Sequence, residues 1–320
     1  MSSLLEVKGL RTYYFTLKGV VKAVDNVTFS LGKGEVLGVA GESGSGKSTL
    51  AWSLMGYVPP PGRIAGGQIL LDGEDVAKMS EDELRRKVRW KKVSMIFQGA
   101  MNALTPVFTI EDQMAEPFII HMNMTKREAR ERIVELLKEV GLDESFLRRY
   151  PHELSGGQKQ RIVIAMALLL NPELVIADEP TTALDVVVQA QIMNLFKKIK
   201  KEYNISMIFI THDLSIIAEI ADKVAVMYAG KVVELGTSEQ IFLNPQHPYT
   251  QGLLKSIPKL RSKEKISWIP GTPPNLVTPP PGCRFHPRCP YVMDVCKRDE
   301  PPMVEVEPGH FVACHLISRR

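Results

Sequence analysis

One segment restricts the fold more than any other: Gly41-Glu-Ser-Gly-Ser-Gly-Lys-Ser-Thr49. It follows an apolar run, EVLGVAG (Glu35–Gly41), that reads as a strand, and it opens into TLAWSLMG, which reads as a helix. The spacing fits G-x-x-x-x-G-K-S/T in the strand–turn–helix context that gives this pattern its meaning. Glycines reach backbone conformations closed to other residues, so the N–H groups of such a loop can turn inward onto phosphate oxygens. The helix N-terminus adds a field favourable to negative charge. Gly41, Ser43, Gly44, Ser45, Gly46, Lys47, Ser48 and Thr49 are therefore the candidate phosphate-binding residues. Lys47 is suited to the β- and γ-phosphates and the Ser48 hydroxyl to Mg²⁺.

Around this loop the pattern alternates. LLEVKGL and KAVDNVTFSL read as strands, and GGQILLDGEDV as a short hairpin turning at Asp72-Gly73. TKREARERIVELLKEVGL carries apolar residues at helical spacing with Gly141 at its C-terminal end. ELVIAD, SMIFITHD and KVAVMYAGKVVELG read as further strands with helical stretches between them. This order predicts an α/β domain with a largely parallel central sheet. After Gly236 proline becomes frequent, densest in PGTPPNLVTPPPG (Pro270–Gly282), which predicts an extended linker to a small cysteine-bearing tail.

Composition excludes some functions. The 320 residues are 44% hydrophobic with a formal net charge of +4, too mild and too dispersed for a nucleic-acid binder. No run reaches the roughly 18 apolar residues of a membrane span, and MSSLLEVKGL does not resemble a signal peptide. Any membrane role is expected to be peripheral, on the cytoplasmic side.

Two further segments bear on phosphate chemistry. In LVIADE, four apolar residues place Asp178 at the end of a buried strand, where its carboxylate can hold the water shell of Mg²⁺. Glu179 beside it can polarise an attacking water. In Leu154-Ser-Gly-Gly-Gln158, Ser155, Gly156 and Gly157 sit where a helix begins, presenting N–H groups and a hydroxyl; alone, this reads first as a simple helix cap and second as a phosphate loop.

The phosphate loop, LSGGQ, LVIADEP, TALD and THD, in this order and spacing, resemble the ABC-transporter ATPases over about residues 4–240. The resemblance implies a RecA-like core with an antiparallel β subdomain and, over about 105–165, a helical subdomain bearing the signature motif. It implies two such domains sandwiching two ATPs, so that Ser155, Gly156, Gly157 and Gln158 face the phosphate loop of the other subunit. Gln98 resembles the glutamine that senses the γ-phosphate and Mg²⁺, Asp185 the aspartate at the dimer interface, and His212 the switch histidine. Tyr14, flanked by Tyr13 and Phe15, lies where the family stacks an aromatic on adenine. Glu179, His212 and Gln98 are then the catalytic candidates.

FQGAMNALTPVFTIEDQM, NPQHPYTQGLL and GCRFHPRCPYVMDVC resemble the dipeptide/oligopeptide importer branch and extend the likeness to almost the whole chain. Gly99 departs from the acid that many relatives carry beside the glutamine. The branch implies residues 241–320 as its C-terminal extension. It also implies a second, non-identical ATPase subunit, two membrane permeases and an external binding protein as partners. Nickel and oligosaccharide are alternative cargoes. Soluble ABC ATPases of DNA repair or ribosome function fit less well, because only 56 positions separate Gln98 from Leu154 and the chain has one phosphate loop.

Cys283, Cys289, Cys296 and Cys314 fall within 32 residues, and no cysteine precedes them. Their spacing chooses between neither zinc nor an iron–sulfur cluster. The branch resemblance implies a four-iron, four-sulfur (4Fe–4S) cluster acting as a staple, with Zn²⁺ as the alternative, because so short and proline-rich a tail buries little core of its own.

Overall fold

The computed structural model describes residues 3–99, 103–256 and 268–318. The chain forms two units, one of Met1–Ala77 with Phe209–Arg320 and the other of Lys78–Ile208.

The first unit holds an antiparallel sheet of β1 (Ser3–Thr16), β2 (Gly19–Gly32), β4 (Gly62–Leu71) and β5 (Glu74–Asp75), ordered β2-β1-β4-β5. Along β1 the buried positions include Leu5, Val7, Leu10 and Thr12, while Lys8 and Arg11 face water. Thr12 would be a costly polar burial, but its hydroxyl meets the Ser53 hydroxyl at 2.7 Å on the helix after the phosphate loop. The predicted hairpin is present. Leu71 pairs with Glu74 across a two-residue turn in which Asp72 and Gly73 both have positive φ, at 47° and 83°.

Beside it, β3 (Val36–Ala40), buried throughout, runs parallel to β9 (Lys223–Tyr228). Strand β9 turns through Ala229-Gly230 into antiparallel β10 (Lys231–Thr237). The tail then adds strands to this sheet: β12 (His310–Val312) pairs with β10, and β11 (Val304–Glu307) pairs with β12. Residues 268–318 thus lie within the first unit rather than forming a small body of their own.

The tail's place is held by shared core. Phe285, 2% exposed, meets the rings of Tyr228 and Tyr249 at centroid distances of 5.2 and 5.3 Å, and those two rings lie 4.6 Å apart. Each such aromatic pair contributes about 0.5–1.5 kcal/mol beyond its buried area. Val226, Ile217 and Ile241 belong to the same cluster.

In the second unit β6 (Val93–Ile96) runs parallel to β7 (Leu174–Asp178). Strand β8 (Ser206–Ile210) leads the chain from this unit back to the first. The helical signals over 105–165 form helices Ile110–Met122, Lys126–Glu139 and Gly156–Ala167. Each is entered through a capping box, with Thr109 and Asp112, Thr125 and Glu128, and Ser155 and Gln158 as the reciprocal pairs. Helix Lys126–Glu139 buries Ala129, Ile133, Leu136 and Leu137, an i, i+4, i+7, i+8 stripe, and Gly141 follows it at φ 77°. No helix among the described residues is long and apolar enough to cross a membrane.

Candidate nucleotide site

In the first unit the phosphate loop leaves β3 and enters helix Lys47–Leu54. Gly41, Gly44 and Gly46 have φ of 149°, 77° and 103°. A side chain at Gly41 would strike the carbonyl of Met227, and one at Gly46 the carbonyl of Ala23, so both positions exclude any other residue. The loop is braced from outside. Gly230 donates its N–H to the Ser45 carbonyl at 2.8 Å, and Asp25 donates to the Gly230 carbonyl at 2.8 Å. Lys47, 6% exposed, donates its ammonium to the carbonyls of Gly41 and Glu42 at 2.8 and 2.9 Å, directly over the loop. The Ser45 hydroxyl is buried without a hydrogen-bond partner among the described residues. Left-handed glycines, an orphan hydroxyl, a cation over the loop and a helix N-terminus together fit a chain of phosphates.

The three neighbouring aromatics on β1 separate by direction. Tyr14 reaches the helix after the loop, its hydroxyl 3.3 Å from that of Thr49. Tyr13 instead donates to Asp25 at 2.7 Å, and burial together with that carboxylate pushes its phenol up to about 12. Phe15 packs under the Arg63 guanidinium. Past β8, His212 is exposed on a turn in which Thr211 accepts from the Asp213 N–H, and Asp213 caps helix Leu214–Ile220.

In the second unit Asp178, 2% exposed, ends β7. Glu179 follows at φ 49°, a left-handed conformation that costs a non-glycine residue of the order of 1–3 kcal/mol and that turns its carboxylate off the strand line. That carboxylate accepts from the Gln98 amide at 3.1 Å and from the Thr182 hydroxyl at 2.9 Å. Thr182 opens the TALD segment, from which the sequence reading singles out only Asp185.

The same unit brings together two segments far apart in sequence. Ser155 caps helix Gly156–Ala167, and Asp185 caps helix Val186–Tyr203 by accepting from the Val188 N–H at 2.9 Å. The two helix starts touch: a side chain at Gly157 would meet Val188 at 2.8 Å. Ser155, Gly156, Asp185, Val186 and Val187 are all exposed.

The expectation of an iron–sulfur cluster in the tail, with zinc as its alternative, is overturned. Among the described residues no group of three or more His, Cys, Asp or Glu side chains is placed to hold a metal ion. The four cysteines are free thiols. Burial pushes Cys283 up to about 11 and also raises Cys289 and Cys314. The nearby histidines are engaged elsewhere. His286 meets the Cys283 carbonyl, His310 the Glu234 carboxylate and His315 the Asp299 carbonyl, at 2.9, 2.8 and 2.9 Å. The tail gains its stability from the core it shares around Phe285.

Fold and site define an ATP-binding cassette, a mixed α/β ATPase. The ABC transporter family description matches residues 24–182, and the description of the oligopeptide/dipeptide transporter C-terminal region matches residues 233–296. The cassette MJ0796, in a structure described as a dimeric post-hydrolysis state bound to ADP and Pi, is 30% identical with a TM-score of 0.66, covering 73% of this chain and 98% of that one. The cbiO1 protein of Clostridium perfringens, part of a cbiONQ complex, is 30% identical with a TM-score of 0.64, over 76% and 92% of the two chains. Among curated relatives, the oligopeptide transport ATP-binding protein AppD of Bacillus subtilis is 49% identical over 99% of this chain and 98% of its own length. The dipeptide transport protein DppD of the same organism is 47% identical over 100% and 96%. The oligopeptide transport protein OppD of Escherichia coli is 49% identical over 98% and 93%. The chain belongs to the family of ABC transporter ATP-binding subunits that includes these oligopeptide and dipeptide transport proteins. It is an ABC-type ATPase that works with the permeases of a transporter complex.

Proposed function

We propose that this chain hydrolyses ATP to energise an importer of di- and oligopeptides, as a peripheral subunit at the cytoplasmic face of the membrane. The observation that carries the peptide assignment is a likeness that runs nearly full length to peptide-transport ATP-binding proteins, including residues 233–296 beyond the ATPase itself. A second, non-identical ATPase subunit, two permeases and an external binding protein complete the assembly. Residues 1–240 serve as the ATPase cassette and 241–320 as the extension of the peptide-importer branch.

Within that reading each site residue has a role. The loop from Gly41 to Thr49 wraps the phosphates, with Lys47 moving its ammonium from the loop carbonyls onto the β- and γ-phosphates. Tyr14 stacks on the adenine. Ser48, Asp178 and Gln98 would hold Mg²⁺, which would supply neutralisation of charge on the phosphate oxygens. Glu179 accepts a proton from the attacking water, oriented by Gln98 and Thr182, and His212 contacts the γ-phosphate. Ser155, Gly156, Gly157, Gln158 and Asp185 act across the dimer on the nucleotide of the facing subunit. The exposure of Ser155, Gly156 and Asp185 together with the apolar Val186 and Val187 supports a surface completed by another chain.

The test is uptake of a radiolabelled oligopeptide in cells whose only copy of this subunit carries Glu179→Gln. Loss of peptide uptake is expected. Unchanged peptide uptake alongside lost nickel or oligosaccharide uptake would replace the peptide assignment.

A further inference from the structure

The phosphate loop is tied to the C-terminal segment through one residue. Glu42, the second residue of the loop, has its polar groups engaged on three sides. Its carboxylate receives a two-pronged guanidinium from Arg288, Nη1 to Oε2 at 2.6 Å and Nη2 to Oε1 at 2.9 Å. Its N–H donates to the Tyr249 hydroxyl at 2.9 Å, and its carbonyl accepts from Lys47 at 2.9 Å. Two of these partners lie far along the chain, 207 and 246 positions away. Neither lies in a motif that concerns nucleotide.

Arg288 is itself held in place. Its side chain is 5% exposed, its Nε donates to the Pro270 carbonyl at 2.8 Å, and its Nη1 reaches the Tyr228 hydroxyl at 3.4 Å. Four residues earlier Arg284 braces the other end of the loop, less directly. It donates to the Ala229 carbonyl and the Asp25 carboxylate, beside the Gly230 N–H that binds Ser45.

We propose that Arg288 is a positioning residue for the phosphate loop, through which the C-terminal segment controls how well the loop accepts nucleotide phosphates. The reason is electrostatic as well as geometric. Glu42 puts a carboxylate on a loop whose task is to receive several oxyanions, and like charges on one partly buried loop repel. The bidentate guanidinium neutralises that carboxylate and fixes the Glu42 carbonyl against which Lys47 rests. Release of Arg288 leaves an uncompensated negative charge on the phosphate loop and frees the turn that carries it.

This inference rests on the reading of Gly41–Thr49 as the ATP-phosphate site, and one experiment separates the two. Affinity of the full chain for magnesium ATPγS is measured by calorimetry for Arg288→Ala, Arg288→Lys, Glu42→Gln with Arg288→Ala, and Lys47→Ala, with melting temperatures taken alongside. Arg288→Ala is expected to weaken binding at least tenfold and Arg288→Lys to weaken it less. Glu42→Gln added to Arg288→Ala is expected to recover most of the loss, which a purely structural role for Arg288 does not predict. Wild-type binding by Arg288→Ala, with Lys47→Ala defective, overturns the inference and leaves the phosphate site standing. Equal weakness of the single and double variants overturns charge compensation as the mechanism. Normal binding by Lys47→Ala overturns the phosphate-site reading and the inference with it.

Discussion

Gln98 and Glu179, 81 positions apart, meet with the glutamine amide 3.1 Å from Oε2 of the glutamate. The Gln98 amide and the Thr182 hydroxyl both donate to that oxygen, so the glutamate is aimed by two donors while its backbone is held left-handed at φ 49°. A general base must be held where its proton acceptor points, and these two hydrogen bonds fix the direction of the carboxylate. The Glu179→Gln variant is therefore expected to lose turnover by about 10²-fold or more while keeping ATP affinity within a few-fold. Steady-state ATPase rates and nucleotide binding on the same preparation check this, and unchanged turnover removes the base role.

The glycine at position 46 has no tolerated replacement. Its φ is 103°, and a β-carbon there would run into the Ala23 carbonyl of β2. Gly46→Ala is expected to abolish measurable ATP binding and to lower the melting temperature, because the added carbon meets backbone that cannot swing aside. Calorimetric titration with Mg-ATPγS reads the effect; retained affinity means that the loop does not shape the phosphate site.

His247, 1% exposed, should make the protein acid-labile. Burial lowers its pKa to about 4 from an ordinary 6.5, with the Glu234 charge only partly opposing it. Because the folded value is the lower one, the unfolded chain takes up the proton first as pH falls through 6.5. Stability is then lost between about pH 6.5 and 4 and is fully present above that window. The loss from this group alone is of the order of 3 kcal/mol. Denaturant melts at pH 7.5 and 4.5 measure it. The His247→Asn variant, which keeps a side-chain cap on the Tyr249 N–H, is expected to show a shallower acid slope; an identical slope assigns the lability to other groups.

Cys283 should be nearly inert. With its pKa pushed to about 11 by burial, its thiolate fraction near neutral pH falls by roughly two orders of magnitude relative to an exposed cysteine. Iodoacetamide labelling at pH 7.5 followed by peptide mass spectrometry is expected to show modification at least about 100-fold slower than for a free thiol. Rapid labelling in the folded protein means that the C-terminal segment opens readily.

Removing the Phe285 ring should loosen the same segment. Phe285→Ala deletes the residue that meets both Tyr228 and Tyr249, and a buried phenylalanine truncation costs about 3–5 kcal/mol. A fall in the denaturation midpoint with faster proteolysis after residue 268 is the expected pair of results. A midpoint equal to wild type shows that the tail is held elsewhere.

Much of the protein follows from local signals in the sequence. The phosphate loop, the Asp72-Gly73 turn, the capping boxes at Thr125 and Ser155 and the buried run before Asp178 each depend on a few neighbouring residues. Short-range backbone preferences and side-chain hydrogen bonds dictate those structures almost independently of the rest of the chain. The tertiary structure decided what such signals do not encode. Gln98 reaches Glu179, Val188 packs on Gly157, and Arg288 and Tyr249 close on Glu42 only because distant segments meet. The cysteines show the same limit from the other side. Their clustering in the sequence suggested metal, whereas among the described residues no three such side chains are placed to hold an ion, and packing on a shared aromatic core keeps the tail in place. Spacing along a chain reports which groups are near one another, and only the fold sets the solvation, charge and direction that determine their chemistry.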